Sequence, residues 1–311
     1  MATHTPDQGK FVFVSHNLEQ AEKIEKKSIG FWGEAWYRFR QNKLAIFGIV
    51  LLLIIIGFAI FAPMFSQHDY AKNDLMNTNQ PPSSKHWFGT DDLGRDVFVR
   101  NWIGARISIT IGVVAALIDI VIGVIWGGIA GLKGGKTDEI LMRIADILYG
   151  IPNLLVVILL MVVFSTDKGS DLVTMIIAMS ITGWINMARI VRGQVIQLKN
   201  QEFVLASRTL GAGFNRILFK HLIPNTMGPI LVTLTLTIPT AIFTEAFLSF
   251  LGLGLTPPLA SWGTMANEGL SAMEYYPWRL FFPATFICIT MFAFNVIGDG
   301  LRDALDPRTR K

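Results

Sequence analysis

The 311-residue chain is 51% hydrophobic and only 16% charged, and its mean hydropathy is +0.46. A soluble domain keeps about a quarter of its residues charged, and disordered chains carry far less apolar content, so both classes give way to a polytopic membrane protein. The formal charge of +4 is modest, its basic residues are segregated along the chain, and the single cysteine, Cys288, excludes a disulfide framework and a cysteine-based metal site; nucleic acid is not needed to explain the pI.

Residues 1–43 form a polar, basic tail. Its last part, Phe31-Trp-Gly-Glu-Ala-Trp-Tyr-Arg-Phe-Arg, mixes aromatic and basic side chains, which predicts an amphipathic helix in the headgroup region, a basic topology anchor, or both. No small-residue cleavage site precedes the first apolar stretch, which reads as an uncleaved span. Crossing about 30 Å of hydrocarbon takes roughly 20 helical residues. Stretches of that kind occur at 44–65, 107–132, 140–164, 172–190, 227–253 and 280–298. The expected fold is therefore all-α, with six transmembrane helices in a domain covering 44–311. Pro152 and Pro239 fall inside two of these stretches, where membrane helices tolerate proline.

Lysine and arginine set the expected orientation. Most lie in the tail (Lys10, Lys23, Lys26, Lys27, Arg38, Arg40, Lys43), around Lys133, Lys136 and Arg143, in the 191–226 connection, and at the C-terminal end with Arg302, Arg308, Arg310 and Lys311. Fewer fall in the other connections: Lys72, Lys85, Arg95, Arg100, Arg106, Lys168 and Arg279. The positive-inside rule then puts both termini and the 191–226 loop in the cytoplasm, with outer loops at 66–106 and 254–279.

Between the second and third stretches stands GLKGGKT, Gly131 to Thr137. A phosphate-binding loop needs G-x-x-x-x-G-K-[ST] between a strand and a helix. The first glycine position is Ala130 and no strand precedes it, so the stretch reads as a tight turn held inside by Lys133 and Lys136.

The long basic connection contains QEFVLASRTLGAGFNRILFKHLIPN. Helix formers from Glu202 to Leu210 are followed by Gly211 and Gly213, where the helix is expected to end or bend. A second helical piece from Phe214 leads to Pro224, which favours a break before the next span. Two short helices joined at a glycine make a knob suited to a groove on another protein. Ala206-Ser207, then Gly211, then His221-Leu222-Ile223-Pro224 resembles the "EAA" loop of ABC importer membrane subunits. The departures are Leu205 at the glutamate, Ser207 at the second alanine, His221 at the isoleucine and Ile223 at the leucine.

FGTDDLGRDVFVRNWIGARIS (88–108), MARIVRGQ (187–194), EAFLSFLGLG (245–254) and GDGLRDALDP (298–307) narrow the resemblance to peptide permeases of the oligopeptide type, with dipeptide and nickel permeases sharing most of the motifs. The resemblance implies a type I ABC importer permease fold and import of peptides. It also implies a second permease subunit, two ATP-binding subunits that use ATP and Mg, and an extracytoplasmic binding protein. The chain itself would bind no cofactor and catalyse no reaction. By the same resemblance, the coupling loop would act through Glu202, Ala206, Ser207, Gly211, His221 and Pro224. The outer-face signature Gly89, Thr90, Asp91, Gly94, Arg95 and Asp96 would lie near the docking site of the binding protein, or be an ordinary turn.

Two acids stand inside apolar stretches, Asp119 and Glu245. Acids in hydrocarbon are functional candidates by default; either could line a translocation path, or serve packing, with Glu245 locking to the outer loop. Arg189 and Arg192 read as snorkelling to headgroups. The five histidines show no H-x-x-x-H spacing, which leaves a metal site unsupported at this level, and His221 has no acid beside it for proton relay. No nucleophile with a placed base suggests an enzyme. An ion-coupled secondary carrier would need paired midplane charges, of which Asp119 is the main candidate.

Overall fold

The computed structural model describes residues 30–164 and 172–306. The tail to residue 29, Lys168, and the end from Pro307 with Arg308, Arg310 and Lys311 lie outside the described residues.

Every element among the described residues is helical. Helix α1 (Phe31–Gln41) buries Ala35 and Phe39 and exposes Trp32, Trp36 and Tyr37. Asn42 caps α2 (Lys43–Phe65), its side chain accepting from the Ala45 amide at 3.1 Å. Then come α3 (Val97–Lys133), α4 (Gly135–Gly150), α5 (Asn153–Phe164), α6 (Leu172–Leu198) and the short α7 (Glu202–Thr209). The chain closes with α8 (Ile223–Leu248), α9 (Trp262–Leu270) and α10 (Trp278–Leu305). Among the described residues five helices are long and apolar enough to cross a membrane, or six if α4 and α5, bent by 81° at their junction, count as one span.

Three boundaries depart from the sequence expectation. Helix α3 starts at Val97 rather than near 107, so the loop expected to run to 106 ends at Asp96, whose side chain accepts from the Val99 amide at 2.9 Å. The first turns of α3 carry Arg100, Asn101 and Arg106 and look like a loop, yet both arginines find partners on other elements, Arg100 while buried and Arg106 while exposed. Pro63 in α2 has no N–H for the Ala59 carbonyl four residues back, and Arg106 Nε donates to that carbonyl, with its Nη2 on the Ile60 carbonyl at 2.8 Å. The second departure is Pro152, which sits at the break between α4 and α5 instead of inside a continuous span. The third lies at Pro224. The chain runs helically from Phe214 into α8 through a π-helical turn, Ile217–Leu222, so Pro224 lies within a continuous helical run where a break was expected. The 254–279 connection likewise contains α9 and the start of α10, which begins at Trp278 and extends to Leu305.

Close helix packing follows from small residues. Gly123, Gly127 and Gly131 recur every fourth position on α3, and a Cβ at any of them would collide with α6 at Met187, the Ala188 carbonyl, or the Arg192 carbonyl and Val195. Such stripes let backbones approach in lipid, where dispersion rather than the hydrophobic effect drives association. Outward faces are apolar: Leu53, Phe58 and Phe61 on α2, and Leu155, Leu159 and Val163 on α5, are exposed.

Candidate functional site

Three features could carry function: a cavity at mid-helix, a locked loop at the N-terminal end of α3, and a knob at its C-terminal end.

The cavity, about 630 Å³, lies among α3, the α4–α5 bend, α6 and α8. Thr233, Thr237, Thr240 and Thr244 all line it, because steps of three and four put residues on one helix face. Their hydroxyls donate to the carbonyls of Pro229, Thr233, Leu236 and Thr240 at 2.8–3.0 Å. Each oxygen keeps acceptor capacity toward the cavity, so this wall is polar without charge. Asn153 and Asn186 add amides to the lining, Thr182 donating to Asn153 Oδ1 at 2.5 Å. Asp119 is the one carboxylate among the lining residues. Its Oδ1 has no hydrogen-bond partner among the described residues, and it fits because residue 183 is glycine, a Cβ there falling on the carboxylate. The threonine row is legible in the sequence as a 4-3-4 spacing on one helix face.

Glu245 does not line the cavity. It is fully buried, with Oε1 accepting from Ser261 (2.6 Å) and Ser249 (2.9 Å) and Oε2 from Ser108 (3.0 Å). The Ser108 oxygen in turn accepts from the Trp262 amide at 3.1 Å, and Trp262 Nε1 donates to the Asn101 carbonyl at 3.0 Å. Of the two readings of this acid, the geometry matches the lock: it joins α8, α3 and the start of α9.

The signature residues Gly89, Thr90, Asp91, Gly94, Arg95 and Asp96 are all buried, so they build the loop and do not form its outward contact surface. Asp91 is the hub. Its Oδ1 accepts from the amides of Leu93 and Arg95 at 2.9 Å, and its Oδ2 pairs with Arg95 Nε (2.7 Å) and Arg100 Nη1 (3.1 Å). Glu268 on α9 completes the pairing to Arg100 at 3.0 Å, and Arg279 on α10 reaches Asp92 (3.2 Å) and Asn79 (3.1 Å). Thr90 donates to the Asn77 carbonyl at 2.6 Å and accepts from the Gln80 amide at 2.7 Å. Nearby, Asn77 donates to Asp74 at 2.8 Å, which holds that carboxyl below its ordinary range. Gly94 has φ +72° and packs so closely that a Cβ would overlap the Asp74 carbonyl.

At the other end of α3, Gly134 and Gly135 (φ +67° and +54°) turn the chain directly into α4, and Lys199 donates to the Gly131 carbonyl at 2.9 Å. GLKGGKT is thus an interhelical turn. Arg192 makes a two-bond pair with Asp138 (2.5 and 2.8 Å), and Arg189 meets Asp146 at 2.8 Å while lying over the Tyr149 ring. These arginines pin α4 to α6. Beyond them stands the knob. Val204 of α7 is its buried anchor, packed with Val191, Val195, Leu218 and Leu222. Glu202, Ala206, Gly211 and Pro224 are exposed, and Ser207 and His221 half-buried. Ser207 donates to the Phe203 carbonyl at 2.8 Å, and the His221 carbonyl accepts from Asn225 at 2.6 Å. Leu210 is 88% exposed, with Phe203 and Leu205 beside it.

A bundle of lipid-length helices around a polar cavity, with an apolar knob at one end, defines a membrane permease. Comparison with known proteins is specific. Residues 120–311 match the family described as binding-protein-dependent transport system inner membrane component, and 30–82 match the N-terminal TM domain of oligopeptide transport permease C. The chain belongs to that transport family: it is a multi-pass membrane permease subunit of an ABC importer. It is 70% identical over 295 residues, 95% of both chains, to the oligopeptide transport system permease protein OppC of Bacillus subtilis. Identity is 55% to the dipeptide permease DppC of the same organism, over 98% of this chain and 94% of the relative, and 43% to OppC of Escherichia coli, over 95% and 98%. Among solved structures, an inward-facing MetNI methionine ABC transporter superposes with a TM-score of 0.55 at 19% identity, covering 66% of this chain and 97% of that one, which shows the shared fold.

Proposed function

We propose that the chain imports oligopeptides as one half of a heterodimeric permease, with two ATP-binding subunits docking at the 202–224 knob and an extracytoplasmic binding protein delivering peptide at the opposite end. The observation that carries the reading is the knob itself: Phe203, Leu205 and Leu210 stand exposed around Gly211 while Val204 ties them to the bundle from behind. An apolar surface of this shape, at the end of the chain where basic residues gather, suits the groove of a cytoplasmic partner. ATP and Mg act in that partner; this chain supplies a pathway and a lever, and both termini lie in the cytoplasm.

The cavity fits the cargo class. Threonine hydroxyls and asparagine amides offer bonds to any peptide backbone without selecting side chains, and Asp119 offers a carboxylate to an amino terminus. The names of the 70% and 43% identical relatives support oligopeptides, and the 55% identical one makes dipeptides the second reading.

Uptake of a peptide series of increasing length, in a strain lacking this subunit, tests the substrate. Restored uptake of peptides longer than two residues is expected; restoration confined to dipeptides or nickel chelates replaces that reading, and uptake by this chain alone in vesicles, driven by an ion gradient, overturns the ATP-driven one. Orientation is tested by Lys136→Cys in a Cys288→Ser background. Reaction only with reagents admitted to the cytoplasm is expected, and labelling from outside reverses the topology.

A further inference from the structure

Three side chains distant in sequence meet where α2 ends and α3 begins. His68, His86 and Asp96 each present a ligand atom, and these atoms all lie within 4.8 Å of one another. The hydrogen bonds around them show which ring nitrogen faces which partner. His86 Nδ1 is 2.7 Å from Asp96 Oδ2, and a carboxylate only accepts, so the proton sits on Nδ1. His68 Nε2 is 3.2 Å from the Lys85 carbonyl, which also only accepts, so there the proton sits on Nε2. His68 is left with a lone pair outside these bonds, on Nδ1, and on His86 the Nδ1 proton facing Asp96 is the one an ion would replace.

For His68 that is the pattern metal-bound histidines use, the second ring N–H anchored on a carbonyl, which orients the ring and raises its basicity; His86 Nδ1 and Asp96 Oδ2 face each other directly, so both ligate one ion once it displaces the proton between them, as metal binding by histidine requires. Asp96 is itself held rigid by the Val99 amide, and each of its oxygens can accept a hydrogen bond and still offer a lone pair. His86 and Asp96 are buried, His68 half-buried, and the two imidazole rings lie 4.6 Å apart at 31°. Two protonated rings at that separation would repel, whereas two neutral ones can share a cation. A groove of about 800 Å³ along α2, lined by His68, Asp96, Lys85 and Phe98 among others, reaches the cluster from the surface.

We propose that His68, His86 and Asp96 bind one divalent transition metal of the zinc, nickel or cobalt class, with water completing the coordination. Two imidazoles and one carboxylate match the borderline donors such ions take, and nitrogen donors disfavour calcium and magnesium. Ligand atoms about 2.0–2.1 Å from zinc sit roughly 3.3 Å apart, so a rotation of His68 toward the other two closes the site. The ion would clamp the end of α2 to the start of α3, and this holds whatever the chain transports.

The test uses the full-length chain, untagged, in lipid nanodiscs, stripped with chelator and titrated with Zn²⁺, Ni²⁺ and Co²⁺. One equivalent of metal per chain is expected, with the absorption bands of nitrogen-and-oxygen-ligated Co²⁺ and a rise in thermal midpoint on loading. His68→Ala and His86→Gln should each weaken binding at least about tenfold and abolish the rise in midpoint, while a His4→Ala/His16→Ala/His221→Ala variant binds as the parent does. Absence of stoichiometric uptake, unchanged binding by folded His68→Ala, or loss in the triple variant instead would each overturn the site.

Discussion

The two ends of α3 are built on opposite plans. At its start, Asp91, Arg95, Arg100, Glu268 and Arg279 form a network joining the loop to α9 and α10, and Gly94 is packed against Asp74 with no space for a methyl group. Past its end, the α7 part of the knob is tied to the bundle through Val204 alone, and nothing stands within 4 Å of a Cβ at Gly211 or Gly213. Both ends use a glycine with positive φ, Gly94 at +72° and Gly211 at +79°. In one case the constraint is conformation and crowding, in the other conformation alone. The lesson is that one end stores stability in contacts within the chain, and the other leaves its apolar surface for a contact outside it.

If that contrast is right, the largest effect on stability comes from the hub. Asp91→Ala removes the acceptor for two amides and the partner of two buried guanidiniums, and breaking a buried pair by deleting one side costs about 3–5 kcal/mol. Thermal unfolding of the purified variant in detergent should show a large drop in midpoint. A midpoint unchanged from the parent would mean that Glu268 alone holds both arginines, and the comparison between the ends would fail.

Next comes Glu245→Ala, which leaves three serine hydroxyls without their common acceptor and opens a void at a fully buried position. The expected loss is about 2–4 kcal/mol. Glu245→Gln should lose less, since hydroxyls can reverse between donor and acceptor. Transport by folded Glu245→Gln should persist; abolished transport with normal stability would return this residue to the translocation path.

How much of this was legible in the sequence follows from which groups carry the information. Apolar runs announced the membrane helices, and the glycine at 211 announced the end of α7, because both depend on local composition. The start of α3 was hidden because Arg100 and Arg106 look solvent-exposed until their partners, on α9 and α2, are brought to them by the fold. Pro152 and Pro224 carry the same local signal, yet one sits at a break between helices and the other inside a continuous helical run. The family resemblance located the loop signature but not the role of its side chains, all six of which the fold buries. His68, His86 and Asp96 are separated by 18 and 10 positions, so no spacing rule assembles them; only the return of the loop onto α3 does.

The smallest effect on stability, and the sharpest on function, is expected at Gly211. A Cβ there has no atom within 4 Å, so the main cost is the left-handed backbone, about 1–2 kcal/mol, and the bundle behind Val204 should insert and fold. The turn it closes, with the Ala212 amide on the Ser207 carbonyl at 3.0 Å and the Gly211 amide on Arg208 at 2.9 Å, sets the direction in which Leu210 projects. Redirecting that side chain should separate two readouts in the reconstituted transporter: ATP hydrolysis continues while peptide uptake falls. Gly94→Leu, with nearly the same φ, should instead lower the yield of folded protein before either activity can be read. If the two variants behave alike, the ends of α3 are not built differently after all, and the knob is one more packed turn of the bundle.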